Sequence, residues 1–137
     1  MTFTSRALAV TAATLTVVLT GPALSAHASG PNWKTLVTFD GAKIQACKVP
    51  TTQTGPWKVK LRVDATNATT RVQGSGYAKK GAKTLDSWRS GVLTRGHFSD
   101  VGTVKLPQGP KYTLDAGIGG GQSGDGGEFT NKQIPAC

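Results

Sequence analysis

The chain has 137 residues, 37% of them hydrophobic, with 16 Lys and Arg against 7 Asp and Glu and a formal net charge of +9. That length allows one domain with a modest core and argues against a second. Two cysteines and two histidines are present, and the excess of cations points toward anionic partners.

The first element is an export signal. Arg6 is the one charged residue before Lys34, and it precedes an apolar run, Ala7 to Thr20, long enough for a signal core and too short to span a bilayer. Gly21-Pro22 breaks any helix, and Ala26-His27-Ala28 places small residues where a signal peptidase needs them. The pattern predicts a secretory signal peptide over 1–28, cleavage before Ser29, and one mature β domain over 29–137. No cysteine follows the cleavage site and no second arginine stands beside Arg6, so neither a lipoprotein nor a twin-arginine signal is indicated. No later stretch reaches the roughly 20 apolar residues of a membrane helix. The expected location is extracellular or associated with the cell wall.

Cys47 and Cys137 both fall in the mature part, and an oxidising compartment favours their pairing. A bond across 90 positions would tie the chain end to an early strand, and loop-closure entropy gives it about 4 to 5 kcal/mol of stabilisation.

Along the mature chain, short β-favouring runs alternate with turn residues about every ten positions. Trp33 to Phe39 and Ala42 to Val49 flank Asp40-Gly41, a hairpin signal. In Trp57 to Ala65 apolar and charged residues alternate, which puts Trp57, Val59, Leu61, Val63 and Ala65 on a core face and Lys58, Lys60 and Arg62 outside. A turn at Asn67-Ala68 leads to Thr69 to Lys79, where Gly74 and Gly76 mark a bulge or a close backbone approach. Thr84 to Thr94, Gly102 to Leu106 and Tyr112 to Ile118 complete about seven strands. The fold class is all-β: a small antiparallel β-sandwich, immunoglobulin-like in architecture, with one disulfide. The immunoglobulin motif itself is missing, since the second cysteine ends the chain and no Tyr stands two residues before it.

Gly117 to Gly127 is low in complexity and predicts a mobile loop. Glu128 to Cys137, with Phe129 and Ile134, reads as a final edge strand or extended tail.

Motifs for chemistry are few. Gly119 to Gly124 matches G-x-G-x-x-G, but no strand-turn-helix context surrounds it, and Ser123 lacks the second glycine of a nucleophile elbow, Asp125 standing there. His97 is the one histidine left after cleavage and reads as a turn residue after Arg95-Gly96. The acids Asp40, Asp64, Asp86, Asp100, Asp115, Asp125 and Glu128 are scattered singly. Asp115, Asp125 and Glu128 offer the best oxygen set for calcium, with solvated loop acids as the plainer reading. Trp33, Trp57 and Trp88 could stack on sugars, yet Trp57 points inward and Trp88 is expected to stay partly exposed. Asn67-Ala68-Thr69 is a glycosylation sequon by pattern. No catalytic residue, metal or cofactor is assigned.

Charge remains the most informative signal. With Arg6 removed, 15 cations face 7 acids, a net charge of +8. If 57–65 and 69–79 pair as a hairpin, Arg71, Lys79, Lys80 and Lys83 extend the face of Lys58, Lys60 and Arg62 into one basic stripe. The expectation is a secreted, non-enzymatic protein binding anionic extracellular or cell-envelope partners through that face. Nucleic acid is disfavoured, because no aromatic is interleaved with the outward charges. Two alternatives are an inhibitor or toxin-like protein contacting an extracellular protein through a loop such as Gly117 to Gly127 or Thr51 to Pro56, and a small hydrolase using His97 or a carboxylate pair.

Overall fold

The computed structural model describes residues 30–137. The signal peptide expected over 1–28 and its cleavage site lie outside the described residues. Two antiparallel four-stranded sheets face each other. Sheet I has the order β1 (Lys34–Phe39), β2 (Ala42–Pro50), β3 (Trp57–Asp64), β6 (Gly102–Leu106). Sheet II has the order β5 (Lys83–Arg89), β4 (Gln73–Lys80), β7 (Tyr112–Gly120), β8 (Ser123–Thr130). Among the described residues no helix is long and apolar enough to cross a membrane.

The alternation read in β3 is realised: Val59, Leu61 and Val63, with Ala65 just beyond the strand, are 0% exposed. Ile44, Ala46, Val104 and Leu106 join them from sheet I, and Leu114, Ala116 and Ile118 from sheet II. Trp57 is half-buried and packs at the border of this core. Trp88 is also half-buried, as expected.

The Asp40-Gly41 hairpin forms, with both residues at positive φ (47° and 78°), the requirement of a tight turn matched to strand twist. The glycines of β4 signal a close approach: a Cβ at Gly74 would run into Val63, and one at Gly76 into Leu61. β4 therefore lies over β3, face to face, and does not pair beside it. β3 hydrogen-bonds to β2 and β6, and β4 to β5 and β7. The hairpin that would have joined Lys58 to Arg62 with Arg71 to Lys83 does not form, because the apolar side of β3 needs a covering layer and the small inward residues of β4 supply it.

Eight strands replace the expected seven, and the extra one comes from the glycine-rich segment. Gly117 to Gly127 is a β-hairpin, not a loop, with Gly117 opposite Gly126 and Gly119 opposite Gly124. Backbone pairing across the whole segment compensates for the packing its side chains do not provide. The same hairpin contains the G-x-G-x-x-G match, so no helix follows it.

After β8 a short 3-10 turn (Asn131–Gln133) buries Ile134 and the tail returns to sheet I. Lys48 N donates to the Pro135 carbonyl at 2.9 Å, and Cys137 N to the Lys48 carbonyl at 3.1 Å. Ala136 thus bridges Lys48 in parallel, and the disulfide between Cys47 and Cys137 closes over a Cα separation of 4.9 Å, within the usual range.

Candidate anion-binding face

Because β3 buries its odd-numbered residues, Lys58, Lys60 and Arg62 project from the outer side of sheet I, spaced about 6.6 to 6.8 Å apart along the strand. The antiparallel register adds neighbours. Lys58 stands opposite Lys105 of β6, Arg62 opposite Gln45 of β2, and Lys43 opposite Asp64. Lys43 and Lys105 alternate with buried residues in their own strands and share the outer face.

Five cations thus occupy this face, and the Lys58–Lys105 contact sets like charges directly across a strand pair, an unfavourable arrangement. Neither lysine forms an ion pair: Asp86 Oδ2 accepts the Lys105 backbone N–H at 2.8 Å, and the one ion pair among the described residues is Lys79 to Asp115, at 2.6 Å on the other sheet. Asp64, the acid nearest in register, accepts the Thr66 backbone N–H at 3.0 Å and the Thr66 hydroxyl.

Arg62 is the most constrained of the five. Its guanidinium lies 4.5 Å from the centroid of Trp33 and 4.9 Å from that of Phe98, and its Nε donates to Gln45 Oε1 at 2.9 Å. Trp33 immediately precedes β1, and Phe98 comes from the segment that bridges Asp64. Aromatics are therefore interleaved with the outward charges after all. They come from residues 29 positions before and 36 after Arg62, so no local pattern could show it. Phe98 remains 50% exposed.

The other predicted cations are elsewhere. Lys79 projects from the outer side of sheet II, Lys80 and Lys83 sit at the β4–β5 turn, and Arg71 precedes β4. Of the seven groups expected in one stripe, only Lys58, Lys60 and Arg62 are brought together. Lys43, Lys105, Trp33 and Phe98 were missed. Strand alternation marks Lys43 and Lys105 as outward, but only the sheet order places them beside Lys58 to Arg62.

The outer side of sheet II is different in kind. Asp115 and Glu128 are cross-strand partners there, and Lys79 neutralises Asp115 directly; the hydrogen bond and charge of Asp115 raise the Lys79 pKa above 10.5. Arg89 Nη2 donates to the Tyr77 hydroxyl at 3.2 Å. That hydrogen bond, with a second from Ser75, lowers the Tyr77 pKa below 10.0. Asp125 has the opposite strand parity to Glu128 and caps the Gly126 N–H at 2.8 Å, so the three candidate calcium ligands do not converge on one side.

Two further features are structural. Lys48 Nζ donates to the Asn131 carbonyl and lies 4.7 Å from the Trp57 ring centroid, and desolvation lowers its pKa. His97 Nδ1 faces the carbonyl oxygens of Thr94 and Arg95 at 3.3 and 3.0 Å, the geometry of a turn residue.

Comparison with protein-family models, curated proteins and solved structures returns no match. The functional reading therefore rests on the geometry of this face.

Proposed function

We propose that this is an exported, non-enzymatic binding protein that engages an anionic extracellular or cell-envelope polymer through the outer face of sheet I. The reading is supported above all by the gathering of five cations without an ion pair on one face, where Lys58 and Lys105 are held opposite each other at an electrostatic cost that a bound polyanion relieves. Lys43, Lys60 and Arg62 enlarge the field around that pair. The disulfide and the leader-like segment both fit an oxidising, extracellular setting.

The test is retention on an immobilised polyanion at graded salt. Replacing Lys43, Lys58, Lys60, Arg62 and Lys105 together by Ser is expected to abolish retention at moderate salt. Replacing Arg71, Lys79, Lys80 and Lys83 by Ser should leave most of it. Equal losses from the two sets would reduce the interaction to net charge alone and remove the case for a dedicated face.

A further inference from the structure

Arg62 differs from the four lysines of its face in being held on three sides. Trp33 and Phe98 flank the guanidinium from opposite sides of β3, and Gln45 holds its Nε edge. The edge that carries Nη1 and Nη2 has no hydrogen-bond partner among the described residues. A guanidinium presents two parallel N–H donors along that edge and binds oxyanions through both at once. Its usual cost, the loss of side-chain freedom, has already been met by the fold, so the fork is preorganised.

Resting on the reading of sheet I as an anion-binding face, we propose that Arg62 is a phosphodiester-recognising fork and that the polymer bound is a phosphodiester-linked chain. The shape of the clamp selects the anion. When two oxygens of a carboxylate engage both Nη groups, the one carbon substituent lies in the guanidinium plane and leads straight to solvent, leaving the flanking rings unused. A phosphodiester that offers its two non-bridging oxygens sends its two ester arms out of that plane, one to each side. The arms then meet Trp33 and Phe98, whose apolar surfaces accept the C–H groups next to the ester oxygens.

The remaining groups suit a repeating diester. Lys60 and Lys58 continue from Arg62 along β3 at about 6.6 to 6.8 Å intervals, and Lys105 widens the far end. A flexible chain with one permanent negative charge per repeat can place successive phosphates on successive cations, with lysine acting as a point charge and arginine as the oriented contact. Charge complementarity is largely one-sided, since the two acids beside the row are engaged elsewhere, Asp64 by Thr66 and Asp86 by the Lys105 backbone N–H. A bilayer would present mobile headgroups over a broad plane and would not require one arginine to be fixed.

The experiment measures binding of the mature chain to poly(glycerol phosphate), to polygalacturonate as a carboxylate polymer, and to phosphatidylglycerol vesicles, each over a range of salt. Poly(glycerol phosphate) is expected to bind most tightly, with affinity falling as salt rises at a log–log slope of about −0.7 for each phosphate contacted. Arg62→Lys keeps the charge and removes the fork. It is expected to weaken poly(glycerol phosphate) binding about tenfold while leaving the salt slope unchanged. Gln45→Ala keeps Arg62 and frees its Nε edge, and should give a smaller loss in the same direction; an unchanged melting midpoint for both variants excludes unfolding as the cause.

Lys58→Ser should instead lower the slope by about one contact, 0.7. Arg62→Lys binding at wild-type strength, or polygalacturonate binding as tightly as poly(glycerol phosphate), overturns the fork while Lys58→Ser still reports on the cationic face. Vesicle binding without polymer binding also overturns it. Wild-type affinity in the variant lacking all five cations removes the underlying reading as well.

Discussion

The two outer faces of this sandwich carry similar residue types and organise them in opposite ways. On sheet II, Lys79 meets Asp115 at 2.6 Å, Arg89 meets Tyr77, and β7 and β8 set Gly117 and Gly119 opposite Gly126 and Gly124. The central cation of its face is answered within the sheet, and its unanswered pair, Lys80 opposite Lys83, stands apart at the β4–β5 turn. On sheet I, Lys58 faces Lys105, and Arg62 is stacked by aromatics and not paired with an acid. The difference shows that a net charge of +9 says little until the strand order assigns each cation its neighbours. Cationic side chains without local partners are the ones whose field reaches a ligand.

Covalent anchoring also separates the sheets, and breaking it should have the largest effect. The disulfide ends on Cys47, in β2 of sheet I, while β7 and β8 are held by hydrogen bonds and packing. Cys47→Ser is expected to lower stability by about 4 kcal/mol and the melting temperature by about 15 °C or more. Amide exchange should rise first at Lys48 and Cys137, whose backbone groups pair the tail to β2. A melting curve unaffected by reduction would show that the strands close the tail without it.

Next in size is a contrast between two glycines on the two sides of sheet II. Gly76 faces inward, where a Cβ would collide with Leu61, whereas a Cβ on Gly117 would meet the Asp125 carbonyl oxygen at 3.4 Å, an ordinary contact. Gly76→Val should destabilise by about 1 to 3 kcal/mol through overpacking. Gly117→Val should stay within about 0.5 kcal/mol of the parent protein, as for most surface changes. Urea midpoints measure both, and similar values for the two variants would contradict the close stacking of β4 on β3.

The smallest expected effect is a titration confined to sheet II. Arg89, through its hydrogen bond, and Ser75 favour the Tyr77 phenolate. A depressed folded pKa contributes stability above the unfolded value of about 10 and loses it as pH falls through the folded value. Lys79 has the reverse sign: its raised pKa contributes below about 10.5 and that contribution is lost as pH climbs through the folded value. Phenolate absorbance should therefore show Tyr77 ionising early, and Arg89→Gln should move it back up. Arg62→Lys, on the opposite face, should leave that titration where it is, and a shift there would mean that the two faces are electrically coupled.

Much of the fold is legible in the chain because its causes are local. Strict alternation from Trp57 to Ala65 identifies the core side of β3, Asp40-Gly41 specifies a turn with positive φ, and Gly74 and Gly76 announce a close approach. The glycine-rich segment was misread because composition reports side-chain packing and entropy, whereas β7 and β8 are joined by backbone hydrogen bonds that no side-chain pattern encodes. The candidate site was legible only in part. Lys58, Lys60 and Arg62 follow from period-two alternation, but Lys105 reaches Lys58 only through the β3–β6 register, and Trp33 and Phe98 reach Arg62 only when three distant segments meet.

By itself, then, the chain determined its all-β class, the inward and outward sides of β3, the pairing of its only two cysteines and the excess of positive charge, since each depends on residue type or short-range spacing. The tertiary structure alone decided that β4 covers β3 and does not extend it. Lys79 is thereby divided from Lys60 and given to Asp115, and a clamped arginine is left on the opposite face. Strand order is a long-range choice, set by which apolar surfaces can cover one another, and it decides which charges are answered and which remain open.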